Sequence, residues 1–329
     1  MTAGAHTRRV SELLGGLMDG HRASLGRALT LVESTHPSDM TDAAALLDAC
    51  LKHCGTARSM AITGVPGAGK STLVDELGMG LIESGHRVAV LAVDPSSLRT
   101  GGSVLGDKTR MERLSRSGHA FIRPSPTRGT LGGVAAHTRR SMILCAAAGY
   151  DRVLVETVGV GQSEVAVASM VQCVLLVLLA GAGDGLQGIK RGILEVPDIV
   201  AFNKSDAVHR NDQDRSIRHT HDAMHMLRPD VNVPVVGVSA VTGDGLQRLA
   251  AEVTACLEQT PKPFMPDATS LFHESTTQLI SHALQQGEGP FRPLLEAARD
   301  RLHDDTDDGP WSAAAWFYNQ LNTELGGRR

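Results

Sequence analysis

The stretch Met60-Ala61-Ile62-Thr63-Gly64-Val65-Pro66-Gly67-Ala68-Gly69-Lys70-Ser71 decides how the rest of the chain is read. Its first four residues are strand-like. Gly64 to Ser71 fit G-x-x-x-x-G-K-[ST], and Ser71 to Glu83 is helix-like, so the motif lies between a strand and a helix, where its mechanism needs it. Glycines let backbone N–H groups converge on phosphate oxygens, and the helix N-terminus adds favourable partial charge. The expected nucleotide contacts are Gly64, Pro66, Gly67, Ala68, Gly69, Lys70, Ser71 and the adjoining Thr72. Lys70 is expected to reach the β- and γ-phosphates, and the Ser71 hydroxyl to bind Mg²⁺.

Working outward, short β-branched runs alternate with helical stretches. The strands are expected at 59–63, 87–93, 152–156, 173–179, 199–203 and 233–238. This rhythm predicts βαβ units and an α/β fold with a doubly wound, mostly parallel sheet. Continuously apolar runs such as Cys173–Leu179 fit strands covered by helices on both faces. Three consecutive pieces follow: a helical lead-in (1–56), the nucleotide domain (57–260), and a helical arm (261–329) entered through Pro261, Pro263 and Pro266. In the lead-in, Pro37-Ser38-Asp39 reads as a break, with a fresh helix from Asp42 to near His53. The arm carries Trp311 and Trp316 together with Phe264, Phe272, Phe291 and Phe317. An arm with that much aromatic surface either packs back on the core or forms a dimer; aromatics of this kind are typical interface anchors, so a homodimer joined through the arm is the expectation.

Composition narrows the partners. A formal net charge of −4 and 3% aromatics argue against nucleic acid, which calls for a basic surplus and stacking platforms. The five cysteines, Cys50, Cys54, Cys145, Cys173 and Cys256, are scattered in mostly apolar stretches and read as free thiols of a reducing compartment. No apolar signal opens the chain, and the longest apolar run, 173–180, is too short to span a bilayer. A cytoplasmic protein with no membrane partner is expected.

Magnesium needs further oxygen ligands. Asp94 and Glu156 each end an apolar strand, and Asp107 sits in the Gly-rich segment between them. For each, a helix cap or loop contact is the competing reading. Glu156-Thr157-Val158-Gly159 puts a glycine where its N–H can meet the γ-phosphate, so the catalytic set is Lys70, Glu156 and Gly159. Val160 stands where a water-positioning glutamine follows that glycine in other GTPases, which predicts slow intrinsic hydrolysis that a partner accelerates. Asn203-Lys204-Ser205-Asp206 fits N-K-x-D. The Asp206 carboxylate can accept hydrogen bonds from the ring N–H and exocyclic amine of guanine, donors that adenine lacks there. Lys204 would lie along the base, Asn203 would tie the loop together, and Ser239-Ala240 would add a backbone contact. The expected ligands are GTP or GDP with Mg²⁺.

G-V-P-G-A-G-K-S-T (64–72), V-D-P-S-S (93–97), E-T-V-G-V-G-Q-S-E (156–164) and N-K-S-D (203–206) together resemble the MeaB/ArgK family of P-loop GTPases. The resemblance covers essentially the whole chain. It implies a homodimer joined through the C-terminal arm. It also implies a chaperone of adenosylcobalamin-dependent methylmalonyl-CoA mutase that gates cofactor loading and protects or reactivates the mutase. The same resemblance implies a Mg²⁺ set of Ser71, Asp94, Asp107 and Glu156, and a partner-coupling loop at 181–193 with Asp184, Gln187 and Lys190 as its polar members. Two rival readings stand beside it. One is a metallochaperone, with His219, His221 and His225 as its best candidates; the other is a kinase tied to basic amino-acid transport.

Overall fold

The computed structural model describes the chain except for residues 1–2, 35, 95–110, 127–130, 158–162, 180–193, 286–291, 304–308 and 327–329. It falls into two compact units. One comprises Thr56–Ala135 and Tyr150–Phe264; the other comprises Met1–Gly55, Ala136–Gly149 and Met265–Arg329. The three consecutive pieces expected from sequence are therefore regrouped: lead-in and arm share one unit, together with a stretch from the middle of the chain.

In chain order, helices α1 (Ala3–Met18), α2 (Arg22–Glu33) and α3 (Pro37–Leu51) come first. There follow β1 (Arg58–Gly64), α4 (Lys70–Glu83), β2 (Val88–Asp94), α5 (Glu112–Arg116), β3 (Ala120–Pro126), α6 (Leu131–Ala147) and β4 (Arg152–Thr157). Then come α7 (Ser163–Ala168), β5 (Cys173–Leu179), β6 (Ile199–Asn203), α8 (Arg210–Leu227), β7 (Val235–Gly237) and α9 (Leu246–Gln259). The chain closes with α10 (Ala268–Gln285), α11 (Arg292–His303) and α12 (Pro310–Gly326).

The strands form one seven-stranded sheet in the order β3-β2-β4-β1-β5-β6-β7, with every pairing parallel. Alternate residues face opposite layers, as the strand period requires. Leu175 and Val177 pack with Leu73, Val74 and Leu77 of α4 and with Leu249 and Val253 of α9. Leu176 and Leu178 pack instead with Val200, Phe202 and Met224. Burial on both faces explains why β5 reads as an unbroken apolar run. The sequence missed β3, for a physical reason. It carries Arg123, Pro124 and Pro126, and it pairs only with β2 at the sheet's rim, where proline's missing donor is tolerated.

The helical unit is closed by contacts between segments far apart in sequence. Phe272, Ala298, Ala313 and Phe317 form a small core, with Leu294 and Trp316 packed against it. Trp311 is also buried, and the Arg301 guanidinium lies 5.1 Å from the Trp316 ring centroid. These arm aromatics are covered within one chain, so they no longer argue for a dimer; Phe291 lies outside the described residues. Asp48 of α3 accepts hydrogen bonds from the N–H groups of Trp311 (3.2 Å) and Ser312 (2.9 Å), capping α12 from outside its own sequence. The lead-in does break here, between α2 and α3, but the fresh helix starts at Pro37 and not at Asp42, since a proline's missing N–H costs nothing in the first helical turn. Burial pushes the Cys50 and Cys54 thiols up to about 12, which makes them inert packing groups.

Candidate nucleotide-binding site

Of the candidate residues, Gly64, Lys70, Ser71, Glu156 and Asn203 gather at the carboxyl ends of the strands, where the chain leaves β1 between β4 and β5. In open parallel sheets this edge is where ligands bind. Gly64 ends β1 with φ at 145°, and a Cβ there would come within 2.0 Å of the Val177 carbonyl oxygen. Only glycine lets the loop leave the strand so close to β5. At the far end of the loop Gly69 has φ at 82°, and a Cβ would meet the Asn203 side-chain nitrogen at 2.6 Å.

Lys70 opens α4 and is 7% exposed. Its ammonium folds back over the loop, donating to the carbonyls of Gly64 (2.8 Å) and Val65 (3.1 Å). Ser71 Oγ donates to Glu156 Oε1 at 2.7 Å, and Glu156 is 2% exposed. The β4 register sets Glu156 beside Ile62 of β1 and Ala92 of β2, which brings it to the loop. A hydroxyl and a buried carboxylate in contact are hard oxygen donors suited to a small dication. Two hydroxyls that the sequence reading did not single out stand at the same edge. Thr63 precedes Gly64 and Thr157 follows Glu156; both are buried, and neither hydroxyl has a hydrogen-bond partner among the described residues.

The base side is built around Asn203, the last residue of β6 and 2% exposed. Its Nδ2 donates to the Ala68 carbonyl at 2.7 Å, and its Oδ1 accepts from the Ala240 N–H at 3.1 Å. One side chain thus ties the phosphate loop to the Ser239-Ala240 loop. Lys204 follows at φ 60°, the one non-glycine residue with positive φ among the described residues. Holding a side chain there stores about 1–3 kcal/mol of backbone strain, which clusters at ligand sites. The strained residue turns the chain into the short 3₁₀ turn Ser205–Ala207, which leaves Asp206 exposed. Ser239 is fully buried, and its hydroxyl accepts from the N–H groups of Val241 (3.3 Å) and Thr242 (3.1 Å).

Asp94 closes β2, two residues beyond the Ala92 that pairs with Glu156 of β4, but its side chain is not among those described. Asp107, Gly159, Val160, Asp184, Gln187 and Lys190 lie outside the described residues. Thr72 is exposed on α4. His219, His221 and His225 are exposed on α8 and join no cluster of three metal-ligating groups among the described residues. No helix among the described residues is long and apolar enough to cross a membrane.

Residues 25–265 match the family described as Methylmalonyl Co-A mutase-associated GTPase MeaB. A probable GTPase of Mycobacterium tuberculosis is 53% identical over 252 residues, covering 76% of this chain and 75% of its own. The mitochondrial methylmalonic aciduria type A homolog of Mus musculus is 47% identical over 255 residues, covering 74% of this chain and 61% of its own. Among solved structures, that of a protein named LAO/AO transport system kinase aligns over 99% of both chains at 30% identity, with a TM-score of 0.65. A phosphate loop braced by Asn203 and a family match over most of its length agree: the chain belongs to the MeaB family of P-loop GTPases and binds GTP and GDP.

Proposed function

We propose that this GTPase is a chaperone of adenosylcobalamin-dependent methylmalonyl-CoA mutase, using its nucleotide cycle to gate cofactor loading and to protect or reactivate the mutase. The observation that carries the switch is the 2.7 Å hydrogen bond between Ser71 and Glu156. It couples the phosphate loop to the strand end that runs directly into residues 158–162. A change at the γ-phosphate therefore has a short covalent path to a candidate switch segment. The family description, mutase-associated GTPase, supports the identity of the partner.

In this reading Ser71 and Glu156, joined by Asp94 and Asp107, would hold Mg²⁺, which would supply charge neutralisation for the nucleotide's phosphates. Lys70 leaves the Gly64 and Val65 carbonyls to bind the same phosphates. Asn203 keeps phosphate loop and base loop in register, and Asp206 reads guanine. With Val160 following Gly159, turnover by the isolated chain is slow and the partner orders the attacking water. Asp184, Gln187 and Lys190 carry the coupling, and the chain works as a homodimer joined through residues 261–329.

The test is GTP turnover with and without the mutase. Methylmalonyl-CoA mutase raises phosphate release, and an unrelated cobalamin enzyme does not. No stimulation, with no co-elution in any nucleotide state, overturns the chaperone reading and leaves the GTPase intact. The name carried by the 30%-identical solved structure favours one other reading, a kinase. Phosphate transferred to an acceptor protein would support that reading, whereas free phosphate as the sole product excludes it.

A further inference from the structure

At the opposite edge of the sheet from Gly64, Cys173 opens β5, Asp198 stands just before β6 and Cys256 lies in the last turns of α9. The two Sγ atoms and one carboxylate oxygen all lie within 4.8 Å of one another. Cys173 is buried, and the other two are half-buried. We infer that Cys173, Asp198 and Cys256 form a binding site for a thiophilic d¹⁰ dication, of which Zn²⁺ is the representative.

Three features support the assignment. In a tetrahedral zinc site the ligand atoms stand about 3.5–3.8 Å apart, so closing this triad around an ion needs shifts of roughly 1 Å or less. Two sulfurs select a soft or borderline cation and disfavour Mg²⁺ or Ca²⁺. The carboxylate is already oriented: Asp198 Oδ2 accepts the Val174 N–H at 2.9 Å, while the Asp198 N–H donates to the Val174 carbonyl at 2.9 Å. Such outer contacts fix a ligand before the metal arrives.

The surroundings also balance charge. Two thiolates and one carboxylate carry three negative charges. The dication offsets two of these, and Lys262, whose charge acts on both cysteines, offsets the third. Binding releases one proton from each thiol, two Zn–S bonds form, and a water fills the fourth position. Lys262 is itself held in place, since its carbonyl accepts from Gln172 Nε2 at 2.8 Å and Gln172 Oε1 accepts the Ser59 N–H at 3.0 Å. A bound ion would therefore join the start of β5, the entry to β6 and the end of α9, remote from the nucleotide.

The test uses the purified full chain, reduced and stripped of metal with a chelator. On titration, Co²⁺ binds at one equivalent per chain with sulfur-to-cobalt charge transfer and the visible bands of a tetrahedral site, and Zn²⁺ displaces it. Zn²⁺ also shields Cys256 from alkylation by iodoacetamide, a readout that needs no variant. Asp198→Asn and Cys256→Ser each weaken Zn²⁺ binding by about 10- to 100-fold or more, while Cys54→Ser does not. GTP turnover by each variant checks that it is folded. The inference is overturned by a cobalt spectrum that survives Cys256→Ser or by failure of Zn²⁺ to shield Cys256. It is equally overturned if the two thiols close into a disulfide, with no metal retained, when oxidised glutathione is added in the presence of Zn²⁺.

Discussion

At the phosphate half of the site, Lys70 and Glu156 are 7% and 2% exposed and already engaged with Gly64, Val65 and Ser71. At the base half Asn203 is buried, but Lys204 and Asp206 are exposed. The two halves face different problems. Phosphates are common to every nucleotide, so their cradle gains from charged groups that are buried and held at the loop before the ligand arrives, to be handed over from loop to phosphate. Guanine must be told from adenine, and in the proposed reading the exposed Asp206 does this by being desolvated only when a base arrives. The right base compensates the carboxylate, and the wrong one leaves it buried and unpaired. Inorganic tripolyphosphate separates the halves experimentally, because it can occupy the first without touching the second.

The largest effect is expected at the phosphate half. Lys70→Ala removes the cation assigned to the β- and γ-phosphates in the proposed function, and GTP turnover is expected to fall by about 10²–10³-fold or more, read as phosphate release under saturating GTP. Affinity for GTP and for tripolyphosphate falls together, measured by calorimetry. If tripolyphosphate binding survives intact, Lys70 is not the phosphate ligand and the division between the halves breaks.

Asp206→Asn is the complementary break. GTP and GDP affinity drops by about 10²-fold, while tripolyphosphate affinity is unchanged. The sign of the replacement sharpens the test. Asparagine offers an N–H where aspartate offered only oxygen, and xanthine carries a carbonyl where guanine carries its exocyclic amine. The variant therefore gains affinity for xanthosine nucleotides. Loss of GTP binding without that gain points to a damaged loop instead of altered base reading.

Asn203→Ala tests the joint between the halves. Its two bonds, to Ala68 and from Ala240, are both buried, so their loss costs about 2–3 kcal/mol of stability in denaturant unfolding. Unlike the first two variants, this one weakens GTP through both halves by roughly tenfold. Tripolyphosphate weakens less, because only the Ala68 side of the clamp supports the cradle.

What was legible in the sequence follows the same division. Gly64–Ser71 and Asn203–Asp206 could be read because their chemistry demands particular residue types at fixed spacing. β5 could be read because burial on both faces leaves an unbroken apolar run. The features that stayed hidden depend on partners distant in the chain. Asp48 looks like any helical aspartate until α12, more than 260 residues on, places its first N–H groups over it. Trp311 and Phe317 looked like interface anchors because nothing local covers them, yet they are buried within one chain. β3 was invisible because Pro124 and Pro126 contradict strand propensity, and only a place at the sheet's rim makes them acceptable.

Ser239→Ala is the smallest break and the finest test of the base half. The sequence suggested a backbone contact from Ser239-Ala240, whereas the structure gives the Ser239 side chain a separate role. Its hydroxyl accepts the Val241 and Thr242 N–H groups, while its own N–H donates to the Asp244 carbonyl at 2.9 Å. The turn that presents the Ala240 N–H to Asn203 is therefore held partly by this oxygen. Val241 and Thr242 are exposed, so water replaces the lost acceptor and the net cost is about 0.5–1 kcal/mol, at the low end for a hydrogen bond. GDP affinity should fall by only about two- to fivefold, with tripolyphosphate and the phosphate-release rate at saturation unchanged. An effect as large as that of Asp206→Asn would show that Ser239 contacts the base directly. No effect at all would show that the Asn203–Ala240 bond holds the turn without help.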